Sequence, residues 1–368
     1  MQRGISSVWR YFDYWLATAV LLLSAFGVLM IRSAITGEPN FVGYDGRQTL
    51  FIVIGLTVMI SFAAIDYRYF TSLHWYVYGF FILSLVLVLL LGAINNSAQR
   101  WIPLGVIDLQ PSELGRTLLS ISFAQFLATR QRYMEQFSNT IITLAYFGFP
   151  ILLIFIQPDL GMSILYVVMW FMIIAMAGLP MSHFMILGTV GLIGLVVVFP
   201  FLQPYQLNRI TTFIDPASDP EQAFNVDQAV ISVGSGGWWG KGYMQGTQSQ
   251  LGFLRVQHTD FIFSMLTEEM GFFFGAAIVI GLLTFILFRI LRIASLTPDP
   301  AGRSICIGIA GSLFFQTVVS IGMNIRLLPV TGLTLPFVSY GGSSLVTLYL
   351  AMGVVQSVLM RHRKQEFG

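Results

Sequence analysis

A short polar motif, His258-Thr259-Asp260, directly precedes a long apolar run. A carboxylate in this position could accept a proton from a hydroxyl group, and the neighbouring imidazole could take part in the same chemistry. Aspartate just before an apolar run is also a favoured helix N-cap. The residues alone leave Asp260 open between general base and cap. They leave His258 open between a role in the reaction and a hydrogen bond at the helix start.

Two adjacent carboxylates, Glu268 and Glu269, lie inside the apolar run that follows. Ionisable groups inside a run that is apolar enough to cross a membrane usually belong to a functional site. On one continuous helix, Glu268 would lie about 12 Å beyond Asp260 along the axis and about 80° around it. Both carboxylates could not then contact one reacting atom. We therefore expect the pair to support the site, by contacting a cation or by holding the helix in its bundle.

Other polar side chains stand at the edges of other apolar runs. Glu113 and Arg116 are three residues apart just before the apolar run at 117–130, a spacing that favours a salt bridge. Asp159 suits a helix cap, and Trp101 beside Arg100 suits a membrane-interface anchor. Substrate contact is the alternative role for each of them.

The composition is that of a membrane protein. The 368 residues are 56% hydrophobic and only 10% charged, with a mean hydropathy of +0.77, whereas about a quarter of the residues in soluble domains are charged. The net charge of +2 gives no indication of a nucleic-acid partner. One cysteine, Cys306, and 4 scattered histidines cannot supply a zinc site. The sequence also lacks a Walker A loop.

The apolar runs predict an all-α, polytopic fold of about ten transmembrane helices, because one helical span needs about 20 apolar residues. The runs centre on 14–33, 48–65, 73–92, 117–130, 139–156, 160–178, 183–202, 261–288, 304–324 and 341–360. A large polar and Gly-rich loop, 203–260, separates the seventh run from the eighth, and its Trp and Gly content favours an ordered structure. We treat 1–368 as a single domain that contains this loop.

The distribution of Lys and Arg predicts the orientation. These residues are denser on the side of the predicted helices that carries both termini. Because basic residues are enriched in cytoplasmic loops, we expect a multi-pass protein of the cytoplasmic membrane with both termini inside. The 203–260 loop is then extracytoplasmic.

Polar motifs are spread along the whole chain. They are Arg100-Trp101, Gln110-Pro-Ser-Glu113, Gln157-Pro-Asp-Leu-Gly161, Gly246-Thr-Gln-Ser-Gln-Leu251, His258-Thr-Asp-Phe-Ile-Phe263, Leu328-Pro-Val-Thr-Gly-Leu333 and Leu335-Pro-Phe-Val-Ser-Tyr-Gly-Gly-Ser-Ser344. Together they resemble the SEDS family (shape, elongation, division and sporulation) of bacterial cell-wall polymerases, from the first predicted span to the last. The 246–251 stretch is more similar to the elongation branch, RodA, than to the division branch, FtsW.

The resemblance implies a processive peptidoglycan glycosyltransferase that polymerises lipid II at the outer face of the cytoplasmic membrane during cell elongation. It also implies a class B penicillin-binding protein as the crosslinking partner, together with other membrane proteins of the elongation machinery. The family's essential aspartate falls on Asp260. As a general base, this residue would take the proton of the acceptor hydroxyl.

Cations or helix N-termini should stabilise the pyrophosphate leaving group of such a reaction. The expected substrate-binding residues are Arg209, Lys241, Arg100, Trp101, Glu113, Arg116, Asp159, His258 and Ser343. Glu268 and Glu269 are expected to support these residues without contacting the substrate. Ser343 lies in a Gly- and Ser-rich stretch that also favours close helix packing. The sequence leaves open whether a divalent cation is a cofactor, and it indicates no other cofactor.

This chain departs from the family pattern near the aspartate. Leu254-Arg255-Val256 stands where relatives have Leu-Pro-Glu, so a carboxylate and a proline are lost on the approach to Asp260. Relatives more often carry lysine at Arg116, and arginine keeps the charge while changing its geometry.

A lipid II flippase and a non-catalytic scaffold for a penicillin-binding protein are the competing functions. A transporter would be expected to show inverted repeats and helices interrupted at the midplane. The sequence shows no clear repeat, and its polar residues concentrate at the predicted outer face. A scaffold would have no need of a densely polar loop. The glycosyltransferase is therefore the first hypothesis.

Overall fold

The computed structural model describes residues 9–36, 38, 41–91, 93–95, 98–103 and 108–367. The α-helices in these ranges are α1 (Tyr14–Ala34), α2 (Tyr44–Ala64), α3 (Tyr67–Ser72), α4 (His74–Leu91), α5 (Pro111–Ala128), α6 (Phe137–Ile156), α7 (Leu160–Met176), α8 (Met181–Val198), α9 (Pro204–Ile214), α10 (Pro220–Gly236), α11 (Thr247–Gln250), α12 (Ile262–Gly271), α13 (Ile278–Leu296), α14 (Pro300–Asn324) and α15 (Gly342–Phe367). A π-helical turn, Phe272–Ala277, joins α12 to α13. The strands β1 (Ala93–Asn95), β2 (Ala98–Pro103) and β3 (Asp108–Leu109) form an antiparallel sheet in the order β1-β2-β3.

Seven helical segments in the described part of the chain are long and apolar enough to cross a membrane. They are α1, α2, α4, α6, the continuous stretch Ile262–Leu296, α14 and the first part of α15. The predicted runs at 160–178 and 183–202 contain shorter apolar helices, and the run at 117–130 belongs largely to α5. The prediction of a helical, polytopic membrane protein is confirmed. The exact number of spans stays a prediction.

The orientation in the membrane also stays a prediction. Residues 1–8 and 368, which include part of both predicted cytoplasmic termini, lie outside the described residues. The extracytoplasmic position of the 203–260 loop likewise rests on the sequence alone.

The 203–260 loop contains three α-helices, α9, α10 and α11. α10 begins with Pro220 after an Asp219 N-cap, whose side chain accepts a hydrogen bond from the backbone N of Gln222 at 3.1 Å, an arrangement that favours helix initiation. α10 then lies directly against α12. A Cβ atom at Gly236 would be 2.0 Å from the Thr267 carbonyl oxygen. Glycine at this position therefore permits the approach of the loop to the helix that follows Asp260.

The chain forms two compact units from discontinuous segments. The first unit is Met1–Ile65, Arg209–Arg292 and Leu313–Gly368, and the second unit is Asp66–Asn208 and Ile293–Ser312. In the first unit, α2 and α15 pack closely, since a Cβ at Gly55 would be 2.6 Å from the Tyr349 ring. In the second unit, Gly115 of α5 packs against Phe81 of α4, where a Cβ would be 2.0 Å from the ring. The organisation of 1–368 as a single domain stays a prediction.

Candidate active site

Asp260 lies half-buried in the turn before α12. The helix begins at Ile262, and its N-cap is Phe261, which makes no side-chain cap hydrogen bond. The alternative in which Asp260 merely caps this helix is therefore wrong. The separation derived for Asp260 and Glu268 on one continuous helix does not apply either, because Asp260 precedes α12.

Asn324, the buried last residue of α14, makes the hydrogen bonds that a cap would make. Its side-chain oxygen accepts from the backbone N of Ser264 at 3.0 Å and from the Ser264 hydroxyl at 2.7 Å. Its amide nitrogen donates to the backbone oxygen of Asp260 at 2.9 Å. The Asn324 side chain thus accepts hydrogen bonds from the first turn of α12 and holds the backbone at Asp260 in place.

A cavity of about 260 Å³ opens beside Asp260. Its lining combines two arginines with polar and apolar residues, and comprises Arg209, Thr212, Phe213, Gln222, Ala223, Asn225, Val226, Val256, Asp260, Phe261, Arg326, Leu328, Pro329 and Val330. Of the residues predicted to bind substrate, Arg209 belongs to this lining. The volume is near the lower end of the range of ligand pockets, about 300–1,000 Å³, and suits a sugar or phosphate group.

Burial raises the pKa of the Asp260 carboxyl above its ordinary value. The positive charge of Arg209 and a hydrogen bond with the Thr259 side chain oppose this shift without cancelling it. A carboxylate with a raised pKa is a stronger base than an ordinary aspartate, and a general base works best when its pKa lies near the working pH. The site therefore favours proton acceptance by Asp260.

Glu268 is completely buried on α12 and binds the segment that contains residues 241–249, which precedes this helix in the chain. Its carboxylate accepts hydrogen bonds from Lys241 Nζ at 2.9 Å and from the backbone N atoms of Gln248 at 2.9 Å and Ser249 at 3.1 Å. The Thr247 hydroxyl donates to it at 3.2 Å. The ammonium group of Lys241 is thus engaged in an ion pair within the protein.

Glu269 binds the same loop from its other side. It accepts hydrogen bonds from the Ser33 hydroxyl at 2.6 Å, from the backbone N of Met244 at 3.0 Å and from Gln250 Nε2 at 3.1 Å. Ser33 belongs to α1, so Glu269 connects α1, α12 and the loop. The two adjacent carboxylates together hold residues 241–250 in place through hydrogen bonds and an ion pair, and we call these residues the clamped loop.

His258 packs among aromatic rings. Its ring centroid lies 4.4 Å from that of Phe41, 5.8 Å from that of Tyr44 and 6.1 Å from that of Tyr340. Its backbone oxygen accepts a hydrogen bond from the Tyr340 backbone N at 2.9 Å. Burial lowers the pKa of the imidazole, which favours its neutral form. Ser343 is buried in the first turn of α15.

Arg100, Trp101 and Asp159 belong to the second unit. Arg100 on β2 donates to the Gln157 carbonyl at 3.2 Å, to the Pro158 carbonyl and to the Tyr205 hydroxyl at 2.8 Å. Its guanidinium lies 3.6 Å from Asp159. Asp159 is the N-cap of α7, as the cap interpretation predicted, and accepts from the backbone N of Met162 at 3.1 Å. Trp101 is half-buried next to Arg100.

Glu113 and Arg116 also belong to the second unit. Both side chains are buried in the first turns of α5 and form an ion pair, which confirms the predicted salt bridge. Arg116 Nε also donates to the Glu113 carbonyl oxygen at 3.3 Å. Binding of substrate by either residue stays a prediction.

Comparison with known proteins decides the family. The model of the FtsW/RodA/SpoVE family of cell cycle proteins matches residues 14–364. The chain belongs to this family. The resemblance to the SEDS family is thereby confirmed, and the RodA-like assignment is supported although FtsW and SpoVE relatives are also similar.

Relatives match this family member over nearly its whole length. Peptidoglycan glycosyltransferase MrdB of Escherichia coli is 37% identical over 94% of this chain and 92% of its own. Stage V sporulation protein E of Bacillus subtilis is 36% identical over 94% of this chain and 96% of its own. Peptidoglycan glycosyltransferase RodA of Treponema pallidum is 29% identical over 98% and 99% of the two chains.

Solved structures show the same fold. A chain from a peptidoglycan synthase complex that coordinates polymerisation and crosslinking superposes with a TM-score of 0.82, at 29% identity and over 96% of this chain and 98% of its own. The crystal structure of the rod shape determining protein RodA of Thermus thermophilus gives a TM-score of 0.71 at 28% identity, over 96% and 97% of the two chains.

The sequence did not indicate two residues that lie close to Asp260 or line its cavity. Asn324 was absent from the predicted site because its contact with Asp260 depends on where α14 ends. Arg326 lines the cavity and pairs with Asp227 at 2.5 Å, but in the sequence it lies between the apolar run 304–324 and the motif 328–333 and belongs to neither. Among the described residues, no group of three or more His, Cys, Asp or Glu side chains could hold a metal ion.

Proposed function

We propose that this chain is a peptidoglycan glycosyltransferase that polymerises lipid II into glycan strands at the outer face of the cytoplasmic membrane during cell elongation. One cavity carries the proposal: it is lined by Asp260, whose carboxyl has a raised pKa, and by Arg209 and Arg326. The activity named for the MrdB and RodA relatives supports the reaction class.

In the proposed reaction, a sugar hydroxyl of the acceptor attacks the anomeric carbon of the donor. A new C–O bond forms at that carbon while its bond to the lipid pyrophosphate breaks. Asp260 takes the hydroxyl proton. Cationic side chains stabilise the charge of the departing pyrophosphate.

The remaining residues have supporting roles in this proposal. Of the residues expected to bind lipid II, Arg209 lines the Asp260 cavity and is assigned a contact with the substrate there. The contacts expected for Lys241, His258 and Ser343 of the first unit, and for Arg100, Trp101, Glu113, Arg116 and Asp159 of the second, stay predictions. Glu268 and Glu269 hold the clamped loop in place beside α12. A class B penicillin-binding protein and other elongation proteins are the proposed partners, a view supported by the similarity to a synthase complex. A divalent cation stays open as a cofactor.

The decisive experiment compares purified wild-type protein with Asp260→Asn in polymerisation of labelled lipid II. Asparagine keeps the size and polarity of aspartate but cannot accept the proton. Loss of a general base typically lowers the rate by about 10²–10⁴-fold, so glycan should fall to the detection limit while expression and thermal stability are retained.

Glu221→Gln is the matched control, because it removes an exposed carboxylate from the same loop. It should polymerise normally. Wild-type polymerisation by Asp260→Asn would exclude the general-base role. A wild-type protein that makes no glycan but moves lipid II across vesicles would support the flippase, and one that only binds a penicillin-binding protein would support the scaffold.

Topology is tested separately. Ser218 is exposed in the 203–260 loop, and Cys306 is buried. In a Cys306→Ala background, Ser218→Cys should react with a membrane-impermeant maleimide added to intact cells. Reaction only after permeabilisation would place this loop in the cytoplasm.

A further inference from the structure

Arg326 occupies a backbone position that favours glycine. It is the second residue after α14 and has φ +55. The backbone N of Leu327 donates to the Gly322 carbonyl at 2.8 Å, and that of Arg326 to the Met323 carbonyl at 3.3 Å. These two bonds define a Schellman motif, in which the left-handed residue is usually glycine because a Cβ is unfavourable there. Arginine at this position strains the backbone.

Arg326 lines the Asp260 cavity, and together with Asp227 it also lines a second, adjoining cavity. Its guanidinium pairs with Asp227 of α10 at 2.5 Å, and the two side chains are 37% and 47% exposed. Exposed ion pairs contribute little to stability. The contact with Asp227 therefore does not offset the strain of the backbone, and strained residues of this kind concentrate at functional sites.

Two cations of the 203–260 loop are engaged in ion pairs away from the cavity. Lys241 is held by the buried Glu268, and Arg255 pairs with Glu221. Neither of these two cations lines the cavity, whereas Arg209 and Arg326 do. The cavity lining thus includes two arginines, and guanidinium groups are suited to bidentate hydrogen bonds with phosphate oxygens.

We propose that Arg326 binds the diphosphate group of the lipid-linked donor and exchanges its ion pair with Asp227 for hydrogen bonds to that group. Asp227 keeps the guanidinium at the edge of the cavity until the anion arrives. The assignment of the donor rests on the proposed function, whereas the recognition of a diphosphate anion can be tested without polymerisation.

The test uses three variants of the full-length protein. Arg326→Gly removes the guanidinium and relieves the backbone strain, so the protein should be at least as stable as wild type. Arg326→Lys keeps the charge but loses the bidentate geometry. Asp227→Asn removes the competing carboxylate and leaves the arginine in place.

Binding of inorganic pyrophosphate is measured first, by the shift of the thermal unfolding midpoint of detergent-purified protein. Wild type and Asp227→Asn should be stabilised, and Arg326→Gly should show little response. Equal stabilisation of wild type and Arg326→Gly would overturn the proposal. This measurement remains valid if wild-type protein fails to polymerise lipid II, a result that would refute the proposed function alone.

Steady-state polymerisation is measured second, in nanodiscs of phosphatidylcholine and, in parallel, in nanodiscs of phosphatidylglycerol. A charge-assisted hydrogen bond is worth about tenfold to a hundredfold in affinity, so Arg326→Gly should raise KM for lipid II by about that factor. Arg326→Lys should be intermediate, and Asp227→Asn should lower KM or leave it unchanged. Equal increases of KM in Arg326→Gly and Asp227→Asn would show that the ion pair is structural. A KM effect seen only in phosphatidylglycerol nanodiscs would assign Arg326 to a lipid headgroup and refute the diphosphate assignment.

Discussion

The side-chain amide of Asn324 donates a hydrogen bond to the backbone oxygen of Asp260 at 2.9 Å. The same side chain accepts a hydrogen bond from the backbone N of Ser264 at 3.0 Å. The end of α14 therefore determines where the candidate base stands at the beginning of α12. Asn324 acts on the reaction only through Asp260, as a positioning residue.

We expect Asn324→Ala to lower kcat more strongly than it raises KM, because the substrate contacts remain while the base is displaced. Loss of a buried hydrogen-bonding partner should also destabilise the protein by about 1–3 kcal/mol. Polymerisation kinetics and thermal unfolding measure the two effects. Asn324→Asp keeps the acceptor for Ser264 but loses the donor to Asp260, so it should recover stability better than activity.

Ser320→Ala is the control for this prediction. Ser320 lies one turn earlier on α14, and its buried hydroxyl has no hydrogen-bond partner among the described residues. Its removal should leave both kinetics and stability near wild type. An Asn324→Ala protein with normal kcat would show that Asp260 does not depend on this bond.

The pH dependence of polymerisation should report the raised pKa of Asp260. A general base works in its deprotonated form, so kcat/KM should rise with pH through a midpoint above that of an ordinary aspartate. Because the charge of Arg209 lowers this pKa, Arg209→Gln should move the midpoint to still higher pH. Arg255→Gln removes an exposed cation of the same loop and should not move it. A downward shift in Arg209→Gln would contradict the assignment of the titrating group.

Glu268→Gln should loosen the clamped loop. Glutamine loses the ion pair with Lys241 and cannot reproduce all the hydrogen bonds that the carboxylate accepts from Thr247, Gln248 and Ser249. We expect a loss of about 1–3 kcal/mol in stability and faster amide hydrogen exchange in residues 241–250. Glu221→Gln, which breaks an exposed ion pair, should show neither effect. Unchanged exchange in Glu268→Gln would mean that the loop is held by other contacts.

Hydropathy predicted the long, continuously apolar helices well and the helix with charged residues in its first turns less well. The run at 14–33 became α1, Tyr14–Ala34, because continuous apolar sequence suffices to define such a helix. α5 begins at Pro111, whereas the predicted run began at 117. Its first turns bury Glu113 and Arg116 against each other, and a buried ion pair gives no apolar signal. The helices α9 and α10 were not predicted individually, since the polar segment that contains them has no long apolar run.

The same distinction applies to the candidate site, where one residue is indicated by a local sequence pattern and others only by contacts in the fold. Asp260 could be proposed from the sequence because a family motif places the essential aspartate on it directly before a long apolar run. Asn324 and Arg326 were missed because their roles depend on the end of α14, on a left-handed backbone conformation and on packing against a turn 64 residues earlier in the chain. None of these properties is expressed in hydropathy or charge spacing.

A glycine pair in α10 tests the packing that shapes the cavity. A Cβ at Gly236 would lie 2.0 Å from the Thr267 carbonyl oxygen, whereas a Cβ at Gly234 would meet no atom within 4 Å. Gly236→Ala must push α10 away from α12, and overpacking of this kind costs about 1–3 kcal/mol. Gly234→Ala makes the same chemical change in the same helix and should stabilise it by about 0.5–1 kcal/mol.

The functional consequence follows from the lining of the cavity. Gln222, Ala223, Asn225 and Val226 of α10 line the cavity together with Asp260. Displacement of α10 should therefore lower polymerisation in Gly236→Ala at temperatures where the protein is still folded. Gly234→Ala should retain full activity. Thermal unfolding and lipid II polymerisation, measured on both variants at matched expression, separate the two outcomes. If both variants behave alike, the close contact between α10 and α12 does not determine the shape of the site.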